Sequence, residues 1–153
     1  MVTIERLIVY WKNTKEMPLL VRALCQGGMF VAPLFLVLVA VPFMDWEVDG
    51  QPMSYANVWS SGVGPVVAVS LALVAGGAWG LAARNPRSRW LLVVAPIVPS
   101  VGLVAYRLSG AYTAESEVGE TLLEGVVASA VIYVCLFHLS WVKVYMKGED
   151  LAR

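Results

Sequence analysis

Four stretches without a charged residue decide what this chain can become: Ala23–Met44, Val63–Ala83, Trp90–Tyr106 and Gly125–Val142. Each is closed by charges, by Arg22 and Asp45, Arg84, Arg89 and Arg107, and Glu124 and Lys143 in turn. A helix needs about 20 residues, within a range of about 17–25, to cross a hydrocarbon layer about 30 Å thick. A water-soluble helix of that length shows a polar stripe, and these segments have none. The pattern predicts an all-α membrane protein with transmembrane helices over about 19–44, 63–83, 90–108 and 123–144, in one integral membrane domain spanning 1–153. A cleavable leader is the competing reading of the first segment. Its n-region would run to 22 residues and Leu38 spoils a small-x-small site ending at Ala40, so the first helix is expected to be retained.

Composition narrows the function classes. The chain is 59% apolar and 14% charged, against about 45–50% and about 25% in soluble domains. Lys+Arg and Asp+Glu balance at 11 each, which removes a basic nucleic-acid binder. Two cysteines and one histidine are too few for a disulfide scaffold or an autonomous His/Cys metal site. No cofactor is expected.

The net neutrality hides an asymmetry. Ten of the 11 cations (Arg6, Lys12, Lys15, Arg22, Arg84, Arg87, Arg89, Lys143, Lys147 and Arg153) fall on one side of the four spans, and Arg107 alone on the other. Seven of the 11 acids, Asp45, Glu47, Asp49, Glu115, Glu117, Glu120 and Glu124, accompany Arg107. Formal charges of +6 and −6 result. The Lys/Arg excess places both termini in the cytoplasm.

Residues 3–15 place Ile4, Leu7, Ile8 and Trp11 at i, i+3, i+4 and i+7, which predicts a short amphipathic helix on the inner membrane surface. In the first outer loop, residues 45–62, Asp49-Gly50 is a favoured hairpin pair and predicts a small β-hairpin over the outer interface. The six-residue loop Arg84–Arg89 forces spans two and three into an antiparallel pair. The second outer loop, Leu108–Thr121, is polar and acidic and is expected to be exposed.

Three features could carry chemistry. In span two, Gly64, Ala68, Ala72, Gly76 and Gly80 recur every four residues, a small-xxx-small ladder that lets another backbone approach closely. The plainer reading is packing against a neighbouring span and the sharper one is a face for a second copy or another membrane protein; on either, span two is expected to be the most buried helix. In span three, Pro96 and Pro99 remove backbone donors; they predict a packing kink or, in a transporter, a break that binds substrate. Arg107 and Glu124, at the outer ends of spans three and four, are expected to form an interfacial ion pair. No charge lies inside a span, which argues against a proton pump or a carboxylate-driven multidrug exporter. Cys25, Cys135 and His138 share one membrane side, where a chance i,i+3 pairing outweighs a zinc site. No His-Glu-x-x-His, Gly-x-Ser-x-Gly, P-loop or Gly-x-Gly-x-x-Gly run occurs, and the chain is expected not to be an enzyme.

The plan of four spans joined by short loops resembles the small polytopic immunity proteins that bacteria use against pore-forming toxins, including colicins and type VI secretion effectors. The resemblance is one of architecture, covers the four spans and carries over no functional residue. It implies a protein of the bacterial inner membrane that binds a membrane-targeted toxin and neutralises it. The ladder would then engage toxin helices, while Asp45, Glu47 and Asp49 would steer a basic partner. A transporter or channel subunit, active as a homo-oligomer or with partners, and an accessory subunit of a larger membrane complex are the alternatives.

Overall fold

The computed structural model describes residues 4–42, 46–48, 50–111 and 116–147. Four helical segments are long and apolar enough to cross a membrane: Val21–Ala40, Val63–Ala82, Ser88–Ser109 and Val118–His138. At 1.5 Å per residue, their 20 to 22 residues each extend about 30 Å or slightly more. In chain order the elements are α1 (Ile4–Lys15), α2 (Leu19–Ala40), strands β1 (Trp46–Val48) and β2 (Gln51–Met53), α3 (Tyr55–Ser60), α4 (Val63–Ala82), α5 (Ser88–Val94), α6 (Ile97–Tyr106), a π-turn (Arg107–Ala111), α7 (Ser116–Tyr133), a second π-turn (Val134–His138) and α8 (Ser140–Lys147).

α4 occupies the centre, packed against α2 on one side and against α5 and α6 on the other, with α7 packed on α5 and α6. It is not the most buried span, however: a larger share of the first is enclosed. The main apolar core lies at one end of the row, where Met17, Val21, Cys25 and Met29 meet Ala78, Leu81, Ala82, Leu92, Leu136, Val142 and Tyr145. We call this the basic end, because α1, the 84–89 turn and α8 bring their cations to it. The opposite, acidic end carries the β-hairpin and α3.

Packing at the core depends on a few glycines. A Cβ on Gly77 would lie 2.5 Å from Leu92 Cγ, and one on Gly28 would lie 2.7 Å from Ala78 Cβ. These positions bring α5 and α2 hard against α4, where dispersion between close backbones is what holds helices together in lipid. Outward, Phe30, Val31, Leu34, Phe35 and Val37 of α2 and Leu123, Val126, Val127, Val131 and Val134 of span four remain exposed, as lipid-facing surface does.

The hairpin expected at Asp49-Gly50 forms. Val48 pairs with Gln51 and Trp46 with Met53, and Gly50 takes φ +73° in the two-residue connection. Asp45 and Asp49 lie outside the described residues. α1 forms as a helix, with Ile4 and Ile8 exposed and Trp11 set edge-on to Phe30 at 5.7 Å.

The fourth span lies nearer the N-terminus than its flanking charges imply. α7 starts at Ser116 and includes Glu120 and Glu124, both exposed, in its first turns. Leu139 then turns extended, with ψ 125°, and α8 leaves as a separate helix that buries Val142 and Tyr145.

Candidate functional site

The α4 ladder does not form one face. A helix advances about 100° per residue, so each step of four residues drifts about 40° around the axis. Gly64 is buried beneath α3, where a Cβ would meet Val58 Cγ1 and Trp59 Cδ2 at 3.2 Å each. At the other end, Gly80 abuts Ser88, whose Oγ would lie 2.8 Å from an added Cβ. Between them Ala68 is half-buried, while Ala72 and Gly76 are exposed; the nearest atom to a Cβ on Gly76 is Leu91 Cδ1 at 3.7 Å. Two ladder positions are thus taken up internally, and the middle leaves a shallow open strip.

The helical hydrogen-bond ladder of span three is interrupted at Ala95 and Pro96, between α5 and α6, although both residues keep right-handed helical backbone angles. Pro99 sits in the first turn of α6, where a missing donor is tolerated. The Ala95 carbonyl accepts from Ser70 Oγ at 2.8 Å, and that of Pro96 accepts from Ser100 Oγ at 3.1 Å. Gly125 of α7 lies against Ser100 and the Pro96 carbonyl. One turn further along α7, the buried Ser129 hydroxyl has no hydrogen-bond partner among the described residues.

At the acidic end, the expected Arg107–Glu124 pair is not among the ion pairs seen for the described residues. Arg107 is buried, and its Nη1 donates to Thr121 Oγ1 at 2.8 Å, one helical turn before Glu124, which is exposed. Glu47 is exposed on β1. Helix α3, which the turn-rich sequence did not reveal, begins with Ser54 accepting from Asn57 N at 3.4 Å. Tyr55 donates from it to the Ala40 carbonyl at 3.0 Å, closing the end of α2.

The most connected polar cluster lies at the basic end and was not anticipated. α4 ends in a Schellman turn: Asn85 N donates to Gly80 O at 2.8 Å and Arg84 N to Leu81 O at 2.9 Å. Arg84 occupies the left-handed position, φ +54°, which glycine usually fills. This conformation turns its guanidinium over the Tyr145 ring, 5.1 Å from the centroid, and into an ion pair with Glu16. The Tyr145 hydroxyl donates to Leu81 O at 3.1 Å, Asn13 Nδ2 to Ala82 O at 2.9 Å and the Cys25 thiol to Ala78 O at 3.1 Å. Three elements distant in sequence therefore satisfy the carbonyls at the end of α4. Arg22 likewise caps α1 through the carbonyls of Thr14, Lys15 and Met17. Arg89 donates to Leu136 O at 3.2 Å, in the second π-turn, and lies 4.4 Å from the Phe137 centroid.

Burial pushes the Tyr145 phenol up to about 12, with Arg84 pulling the other way. A folded-state value above the ordinary one near 10 means that stability is intact below about pH 10 and is lost as pH rises through about 12. Tyr145→Phe should remove that alkaline loss and lower the neutral-pH stability by about 1 kcal/mol through the missing hydrogen bond. Thermal unfolding in detergent across pH 8–12 checks this; parallel curves for the two proteins would refute it.

Cys25 is fully buried, Cys135 lines a crevice between spans one and four, and His138 packs edge-on against Tyr133 at 5.4 Å. Among the described residues no three His, Cys, Asp or Glu side chains gather as a metal site would require. Comparison with protein-family models, curated proteins and solved structures finds no match to this chain.

Proposed function

We propose that the chain is a multi-pass protein of the bacterial inner membrane, with both termini cytoplasmic, that binds and neutralises a pore-forming or depolarising toxin. The observation that carries this reading is the strip Ala68, Ala72 and Gly76 on α4, half-buried at Ala68 and exposed at Ala72 and Gly76, where a Cβ added at Gly76 would meet nothing closer than Leu91 Cδ1 at 3.7 Å. A toxin helix can approach such a strip closely, gaining dispersion and weak Cα–H···O contacts. Glu47, and with it Asp45 and Asp49, would steer a basic toxin from the periplasm. Under the same orientation, α1 lies on the inner interface with Ile4, Ile8 and Trp11 towards the acyl chains.

The test is a double variant, Ala72→Leu with Gly76→Leu, in the exposed part of the strip. It should abolish protection of toxin-exposed cells while leaving membrane insertion and abundance at the wild-type level. Full protection by the properly inserted variant would remove the strip as the toxin contact.

A transporter or channel subunit is the second reading, favoured by the buried Ser129 hydroxyl, one helical turn along α7 from the Gly125 that abuts the Pro96 carbonyl. It predicts solute flux through reconstituted protein, altered when Pro96 and Pro99 are replaced by alanine. The accessory-subunit alternative predicts stable co-purification with a larger complex.

A further inference from the structure

Spans one and four, at the two ends of the row, meet at the basic end around an apolar crevice of about 130 Å³. Val21 and Leu24 of α2 form one wall, and Val131, Ile132, Cys135 and Leu139 form the other. The second π-turn, Val134–His138, and the extended Leu139 run along the span-four wall of the crevice. Apolar walls give water no partners, so an aqueous filling is unfavourable. Left empty, the walls would forgo dispersion contacts. Leu24 and Val131 are themselves exposed at the rim, so the crevice opens sideways towards hydrocarbon.

Charge follows the crevice wall along the chain. α8 starts directly after Leu139, and Lys143 N donates to Leu139 O at 3.3 Å, one turn beyond the crevice wall. Lys143 and Lys147, one turn apart on α8, are exposed and carry no side-chain hydrogen bond or ion pair among the described residues. The nearby arginines are already engaged: Arg22 on carbonyls, Arg84 on Glu16 and Tyr145, Arg89 on Leu136 O and Phe137. We propose that the crevice and these two lysines form a site for an anionic phospholipid, with an acyl chain between spans one and four and the headgroup phosphate at Lys143 and Lys147. A lysine near a membrane surface attracts anionic lipid and is indifferent to a zwitterionic one. The inference rests on the membrane spans and is independent of the toxin reading.

Native mass spectrometry of the full chain, released from detergent with equal amounts of phosphatidylglycerol and phosphatidylcholine, tests it. The expected result is one retained lipid, with phosphatidylglycerol favoured about tenfold. Lys143→Gln with Lys147→Gln should bring that preference close to unity, and Cys135→Trp, which fills the crevice, should remove the adduct. A second measurement does not depend on the tryptophan variant folding. In the native chain, Cys135 should react with a maleimide several-fold more slowly in nanodiscs containing phosphatidylglycerol than in phosphatidylcholine alone, Cys25 being fully buried. Equal retention of the two lipids, an adduct that persists in folded Cys135→Trp, or a dimer peak that this variant abolishes would each overturn the proposal; the last would put a second copy in the crevice.

Discussion

Gly80→Leu is expected to destabilise the folded protein strongly, whereas Ala72→Leu with Gly76→Leu leaves folding intact. The contrast follows from where the ladder points. At Gly80 even a Cβ meets Ser88, including its Oγ at 2.8 Å. Ser88 cannot give way, because its Oγ donates to Asn85 O at 2.6 Å and its backbone N bonds the same carbonyl. That carbonyl belongs to the turn that ends α4 and opens α5, so relief would require moving the antiparallel pair apart. Overpacking of a close contact typically costs about 1–3 kcal/mol, more when backbone must shift. A loss of about 3 kcal/mol lowers the thermal midpoint by on the order of 10 °C in a chain of this size. Size-exclusion profiles and thermal unfolding in detergent, run on both variants, measure the difference. A Gly80→Leu protein with the wild-type midpoint would mean that α4 and the start of α5 do not pack as described.

The same ladder shows what a sequence can and cannot reveal. The four spans were legible because a charge within hydrocarbon is so unfavourable that the charges themselves mark the borders. The hairpin was legible because Asp49-Gly50 satisfies a local requirement for a left-handed turn residue. Partner faces were not: a repeat of exactly four residues winds around a helix, so Gly64 and Gly80 point about 160° apart. Other close approaches, at Gly77 and Gly28, belong to no repeat. Flanking charges misplaced span four because Glu120 and Glu124 sit on exposed helical turns, and because its other end is set by Tyr145 and Val142 pulling α8 into the core. The basic residues were legible as a sum and not as individuals. Nothing local distinguishes Arg84, Arg22 and Arg89, each engaged with backbone or ring, from the exposed lysines beside them.

If the chain neutralises a delivered toxin, cells depleted of it should depolarise and die in dense contact with toxin-competent siblings, yet keep their membrane potential and viability in dispersed culture. Both conditions matter, because each competing function predicts a different pattern. Loss of a transporter or of a respiratory accessory subunit alters potential through the cell's own metabolism, so depolarisation would appear in both cultures. Loss of an immunity protein is silent until a sibling delivers its toxin, so the defect follows contact. Wild-type protein supplied in trans should restore survival, Ala72→Leu with Gly76→Leu should not, and Lys143→Gln with Lys147→Gln should, since the lipid site is not the toxin contact. Charge steering adds a further signature. Interaction between the outer acids and a basic toxin is screened over about 8 Å at physiological ionic strength. Reversing Glu47 to lysine should therefore slow capture at low salt more than at high salt. Equal survival and unchanged potential in contact and in dispersion would sink the immunity reading, and the flux measurement on reconstituted protein would then decide the transporter reading.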